Sequence, residues 1–280
     1  EYLCEITAEE RQRIVLYNLD SSEQSSILKC SQWERNCQET SIDDDVGIML
    51  HTSGTTSNPK KVMLTHENLI SNVESNIESL ALTGADRSLI VLPMCFGYCN
   101  TSQFLTHFYL GASIVIYDGI FVPNRFLYYI EKYQCTNTTC VPSMLYLLIK
   151  NTLHDYRLST LRYLCFGGGS ISKEILRKAI IMLPNTGVVQ TYGQTEASPR
   201  VTCLLPEDSL RKLGSVGKAI PGVSVKIFDE CNEEVENGVE GEIVVRGKNV
   251  MRGYFKHQDE TSRVVVNGWL HTGDIGRFDN

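Results

Sequence analysis

The feature that most restricts the fold is a repeated alternation through the middle of the chain. Short, predominantly apolar runs at 88–92, 113–117, 138–141, 161–166 and 188–191 are separated by segments of helical spacing at 101–109, 123–132, 143–153 and 172–183. A strand with one wet face alternates apolar and polar side chains, whereas a continuous rather than alternating run is covered on both faces. Such runs, each followed by a helix, predict an α/β fold with largely parallel sheets flanked by helices. Ligands of these sheets bind at the loops beyond the strand C-termini. Past about Pro206 the texture changes. β-Branched stretches at 223–228 and 242–245 are punctuated by Gly214, Gly217, Gly222, Gly238, Gly241, Gly247 and Gly253, which predicts a smaller β-rich subdomain. The expected division is 1–205 for the α/β region and 206–280 for the β-rich one.

The earlier part of the chain is less regular. Residues 13–17 read as a buried strand, and the acidic stretch to Asp45 as surface structure. Thr65 is placed to cap a helix in which Asn68, Leu69, Val73, Asn76, Ile77 and Leu80 keep a helical period to about Leu82. A net charge of -7 argues against nucleic acid or an anionic membrane as the main partner. No apolar run reaches transmembrane length and the start lacks a signal peptide, so a cytoplasmic location is expected. It also lacks an initiator methionine, as an excised or processed piece would. The 10 cysteines lack the close knuckle spacing of zinc sites; Cys140, Cys165 and Cys203 sit on apolar runs and read as small core residues in a reducing compartment.

One stretch carries a chemical signal. The apolar Ile48-Met49-Leu50 stops at Thr52-Ser53-Gly54-Thr55-Thr56-Ser57, followed by Asn58-Pro59-Lys60-Lys61 and a second apolar run. Small residues let backbone N–H groups approach an anion, hydroxyls add donors and a lysine adds charge, so this loop suits a polyphosphate. Its spacing is not that of the common P-loop, which places its second glycine where this chain has Pro59.

The loop resembles the phosphate-binding loop of the adenylate-forming superfamily, which includes acyl- and aryl-CoA synthetases, and four further motifs follow in that family's order. They are Leu92-Pro93-Met94-Cys95-Phe96-Gly97-Tyr98, Phe166-Gly167-Gly168-Gly169-Ser170, Thr191-Tyr192-Gly193-Gln194-Thr195-Glu196 and Trp269-Leu270-His271-Thr272-Gly273-Asp274. Gly241-Glu242 through Met251-Arg252-Gly253-Tyr254 adds support. Singly each is a common turn; the ordered set is not.

The resemblance implies ATP-dependent activation of a carboxylic acid to an acyl-adenylate, then thioester formation with coenzyme A or a carrier-protein thiol. Thr52, Ser53, Gly54, Thr55, Thr56 and Lys60 would hold the outgoing phosphates. Thr195 and Glu196 offer oxygen ligands to Mg2+. Tyr192 presents a flat face to adenine, with Thr191 beside it and Gly168 and Gly169 allowing backbone approach. Asp274 would accept hydrogen bonds from the ribose hydroxyls, and Tyr98, Ser102 and Gln190 would lie near the acyl group. Lys60, Thr195 and Glu196 are thus the expected catalytic residues.

The sequence departs from the family in places. Ser57 and Lys61 stand where glycine is usual, and Phe96 where many relatives have histidine. The family's small C-terminal domain, which brings a further lysine, is expected to be absent, leaving residues 1–280 nearly inactive alone. The acyl-pocket motif has no aspartate to pair an α-ammonium group, which favours an uncharged acyl chain over an amino acid. Two rivals stand beside this reading. A binding protein that lost turnover would keep the pocket, and a generic nucleotide-binding module would leave Lys60 and Glu196 pointing to different places. His51, His66 and His271 are expected to pack or lie at the surface rather than to act in catalysis.

Overall fold

The computed structural model describes residues 45–52, 60–150 and 156–279. The expected strand at 13–17 and the loop residues Ser53, Gly54, Thr55, Thr56 and Ser57 lie outside the described residues.

The alternation resolves into a seven-stranded sheet. Strands β1 (Val46–His51) and β2 (Lys61–Thr65) precede it and pair with each other. Helix α1 (His66–Leu80) then leads to β3 (Arg87–Ile90) and, later, β4 (Ser113–Ile116). Next come α2 (Pro123–Tyr133), β5 (Asn137–Cys140), α3 (Pro142–Lys150), β6 (Tyr163–Phe166), α4 (Lys173–Met182) and β7 (Gly187–Gly193). Strands β8 (Arg200–Leu204) and β9 (Lys218–Ala219) close the sheet, whose order is β4-β3-β5-β6-β7-β8-β9. The first five are parallel, as continuous apolar runs require, and β8 and β9 run antiparallel at one edge.

Both faces of the sheet are covered. On one, α2, α3 and α4 bury Phe126, Ile130, Leu145, Leu148 and Leu176 against Leu164, Phe166 and Val188. Each large apolar side chain buried here contributes about 1.5–3 kcal/mol. On the other face, Leu80 and Leu82 pack with Cys165, Val189 and Cys203. Cys140, Cys165 and Cys203 are free, buried and part of these clusters, as expected of small core residues.

Thr65 caps α1 as expected. Its hydroxyl accepts from the Asn68 N–H at 3.1 Å while the Asn68 side chain accepts from the Thr65 N–H at 2.8 Å, a reciprocal box. The Asn68 amide also donates to the Lys248 and Val250 carbonyls at 2.7 and 2.9 Å, tying the helix start to the β-rich region. Between β3 and β4 the expected helix contains a π-helical stretch, Asn100–Leu105, between the short turns Gly97–Cys99 and Thr106–Tyr109. Periodicity cannot reveal that extra residue per turn, which is frequent at functional sites.

The β-rich region supplies β10 (Val223–Phe228), β11 (Gly241–Gly247), β12 (Gly253–Tyr254), helix α5 (Gln258–Val264), β13 (Val265–Val266) and β14 (Trp269–Gly276). Four of these strands form an antiparallel sheet in the order β10-β11-β14-β13, while β12 joins β1 and β2 in a third sheet. Leu50, Val62, Leu64, Ala197, Val245 and Leu270 pack together across these parts.

The opposite, N-terminal end of the parallel strands is held by an ionic node. Asp86 precedes β3, Thr136 precedes β5 and Arg162 precedes β6. The Asp86 carboxylate accepts from Thr136 Oγ1 at 2.7 Å, from the Thr83 N–H at 2.8 Å and from Arg162 Nη1 at 2.9 Å. Burial works to raise the Asp86 carboxyl, but the bonds from Thr136, Thr83 and Arg162 outweigh it and hold the group below its usual range. A depressed carboxyl stabilises the fold above its unfolded value, near 3.9, and that stability is lost as pH falls through the folded value. Asp86→Ala should therefore cost roughly 2–4 kcal/mol at pH 7 in chemical denaturation and flatten the acid limb of the stability curve. Equal acid sensitivity in wild type and variant would rule this out.

Candidate active site

The motif residues meet where the C-terminal end of β7 faces the antiparallel sheet. Tyr192 near the end of β7 donates its hydroxyl hydrogen to Asp274 Oδ2 at 2.8 Å, across 82 positions of sequence. Burial, aided by the neighbouring carboxylate of Asp274, raises the Tyr192 phenol, so it remains a donor at neutral pH. The turn bearing Asp274 is itself braced. Thr272 Oγ1 donates to the Ile243 carbonyl at 2.7 Å, the Gly273 N–H donates to Glu242 Oε1 at 2.8 Å, and His271 Nδ1 lies 2.7 Å from Glu242 Oε2. His271 thus has a carboxylate partner in space, on the neighbouring strand β11, that nearness in sequence did not reveal.

After β7 a 3-10 turn, Thr195–Ala197, presents Glu196 to a cleft that Thr272 and Gly273, the residues before Asp274, also line. The cleft encloses about 340 Å³ between Glu196, Glu242, Tyr254, Arg263, His271 and Thr272. Asn249 clamps the turn from the β-rich side: its amide donates to the Ala197 carbonyl at 2.9 Å, and Ser198 Oγ donates to the Asn249 carbonyl at 2.7 Å. Asn249→Ala leaves the buried Ala197 carbonyl without its donor. We expect a loss of about 1–3 kcal/mol in denaturant melts; a change below about 0.5 kcal/mol would show that the clamp contributes little.

Tyr254 links Glu196 to Lys60. Its hydroxyl donates to Glu196 Oε1 at 2.8 Å, while Lys60 Nζ stands 4.8 Å from its ring centroid and is ion-paired with Glu260. Lys60 and Glu196 therefore converge on one aromatic side chain rather than pointing to different places. Lys60 also forms the neck of the phosphate-loop candidate, since the Thr52 N–H donates to the Lys60 carbonyl at 2.9 Å and the Lys60 N–H reaches Thr52 Oγ1 at 3.3 Å. The Thr52 hydroxyl thus serves this neck. Lys61 opens β2 opposite His51 with its side chain exposed and its backbone outside the left-handed region, so a β-carbon is accommodated where relatives have glycine.

The glycine turn after β6 places Gly168 at φ 77 with nothing near its α-carbon, and Gly168 and Gly169 are both exposed. Thr191, by contrast, is buried: its hydroxyl donates to the Phe166 carbonyl at 3.1 Å and lies 2.7 Å from the Tyr98 hydroxyl. Tyr98 and Ser102 are carried by the helical passage around the π-turn, and Ser102 is buried with its hydroxyl unpartnered. Strand alternation sets Gln190 opposite Phe166, on the other face of the sheet from Thr191. Phe96 is exposed.

A family model described as AMP-binding enzyme matches residues 3–255. The chain belongs to this family. It is 37% identical over 273 residues to a putative acyl-CoA synthetase, YngI, of Bacillus subtilis (strain 168), covering 94% of this chain and 49% of that protein. It is 35% identical to 4-coumarate-CoA ligase 1 of Narcissus pseudonarcissus, over 85% of this chain and 45% of that one. Among solved structures, O-succinylbenzoate coenzyme A synthetase of Bacillus subtilis in complex with ATP and magnesium ion superposes with a TM-score of 0.76 at 32% identity, covering 83% of this chain and 47% of that chain. The chain spans about half the length of the curated relatives it matches.

The residues of this AMP-binding chain fit a magnesium ion carried by phosphates. One Glu196 oxygen is taken by Tyr254, and the other has no protein partner among the described residues. Among the described residues no cluster of three or more His, Cys, Asp or Glu forms a cage there. None is needed, because Mg2+ keeps waters and phosphate oxygens and takes one or two protein ligands. No described helix is long and apolar enough to cross a membrane.

Proposed function

We propose that the protein containing this chain joins a carboxylic acid to ATP, giving an acyl-adenylate and pyrophosphate, and then transfers the acyl group to the thiol of coenzyme A. The contact that carries the reading is Tyr192 to Asp274, because it brings an aromatic face and a ribose-type acceptor together beside Glu196. In this reading Tyr192 stacks on adenine, Asp274 accepts from the ribose hydroxyls, and the Gly168-Gly169 turn leaves room for the nucleoside. Glu196 and Thr195 would supply the protein oxygens of a magnesium ion, whose charge would neutralise the phosphates. Lys60 and the loop that begins at Thr52 receive the leaving pyrophosphate, which requires Lys60 to exchange Glu260 for phosphate oxygen. The buried free cysteines Cys140, Cys165 and Cys203 support a reducing, cytoplasmic setting.

The experiment is ATP–pyrophosphate exchange by the full-length protein over a panel of acids. Acid-dependent exchange is expected, and it should vanish in Glu196→Ala. ATP binding without exchange for any acid would favour a binding protein that no longer turns over. Exchange supported by the adenylate but no thioester with coenzyme A would instead point to a carrier-protein acceptor.

A further inference from the structure

The mechanism above leaves one buried cation unused. Arg200 opens β8, pairs with Gly193 across the β7–β8 ladder and is only 2% exposed. Its backbone is fixed by Asn72 of α1, whose amide donates to the Arg200 carbonyl at 2.8 Å. Its side chain meets the Cys165 thiol but is otherwise incompletely satisfied. Nε and Nη1 are both buried without a hydrogen-bond partner, and no described carboxylate forms an ion pair with it. Its partner Gly193 lies two positions beyond Thr191, whose hydroxyl meets Tyr98, and its charge acts on the Tyr98 hydroxyl and on the Cys165 and Cys203 thiols.

A guanidinium is not neutralised by losing its proton in a protein, and leaving it buried without an anion costs several kcal/mol. Groups kept in that state meet a partner from outside the chain. The surroundings say which kind: the Tyr98 and Thr191 hydroxyls add hydrogen-bonding oxygen there. Asp274 is exposed at the open cleft, so a group reaching Arg200 is the far end of the acid and not its reacting carboxylate.

We propose that Arg200 is a specificity-determining residue that pairs with a second carboxylate at the distal end of the substrate, making the acid a dicarboxylate. The proposal rests on the ligase reading for the reaction, though not for the anion site. It replaces the expectation of an uncharged acyl chain. That expectation followed from a missing aspartate, which excludes an ammonium group but is silent on a carboxylate.

The test uses the full-length protein and matched acids, succinate against butanoate and glutarate against pentanoate, in ATP–pyrophosphate exchange and in thermal shift with ATP present. The diacid should be preferred by roughly 100-fold or more in kcat/KM, and the preference should fall below about tenfold in Arg200→Gln, with Arg200→Lys between. A monoacid preference in the wild type overturns the proposal without any variant, as does an unchanged ratio in a folded Arg200→Gln. If neither class drives exchange but another acid of the panel does, the dicarboxylate proposal fails and the ligase reading stands; if no acid does, the ligase reading fails on its own. Stabilisation of the wild type by diacid and not by monoacid would then still support the anion site, and its absence would sink that as well.

Discussion

Replacing Gly193 with alanine should abolish the cooperative unfolding transition of the protein or lower its stability by more than about 3 kcal/mol. A β-carbon there would lie 1.8 Å from the Pro199 carbonyl oxygen, 2.8 Å from its carbon and 3.0 Å from the Val201 nitrogen. All three are backbone atoms, so no side chain can swing aside. Relief requires parting β7 from β8, which would carry Tyr192 and the Glu196 turn with it. Gly168→Ala is the matched control. Its φ of 77 is left-handed but nothing lies within 4 Å, so about 1 kcal/mol of backbone strain is expected. Similar, small losses in the two variants by thermal and denaturant melts would show that the β7–β8 turn yields more easily than its geometry implies.

Asp274→Ala should reduce kcat/KM for ATP by roughly 10²–10⁴ in pyrophosphate exchange. A hydrogen bond to a charged acceptor contributes about 1.5–3 kcal/mol, and two ribose hydroxyls would lose theirs. Tyr192→Phe separates this from damage to the turn, since it deletes only the hydroxyl that meets Asp274 Oδ2 and keeps the aromatic face. That variant should stay within about tenfold of wild type. The ribose contact has its own signature: 2′-deoxy-ATP should be discriminated against by wild type and accepted indifferently by Asp274→Ala. Retained discrimination in the variant would place the sugar elsewhere.

Much of this was legible in the sequence because it was local. Continuous apolar runs announced buried parallel strands, Thr65 announced its helix, and the ordered motifs announced Tyr192, Glu196 and Asp274 as a set. What escaped was fixed by partners distant along the chain. Asn249 reads as a loop residue until it is seen clamping Ala197, and Tyr254 has no evident role until Lys60 and Glu196 meet on it. The pairing of His271 with Glu242 depends on the register of β11 against β14. Arg200 had a faint signal, a cation directly before the buried run Val201 to Leu204, where solvent exposure at a strand end is the ordinary explanation. Only its burial changes the meaning.

Tyr192 belongs to the parallel sheet and Asp274 to the antiparallel one, and apart from packing they touch through a single hydroxyl. Any nucleoside that engages both must therefore act as a rivet between two independently hydrogen-bonded layers. Saturating ATP should slow amide exchange at the ends of β7 and β14 together, by up to about 100-fold when free ligand exceeds its dissociation constant a hundred times.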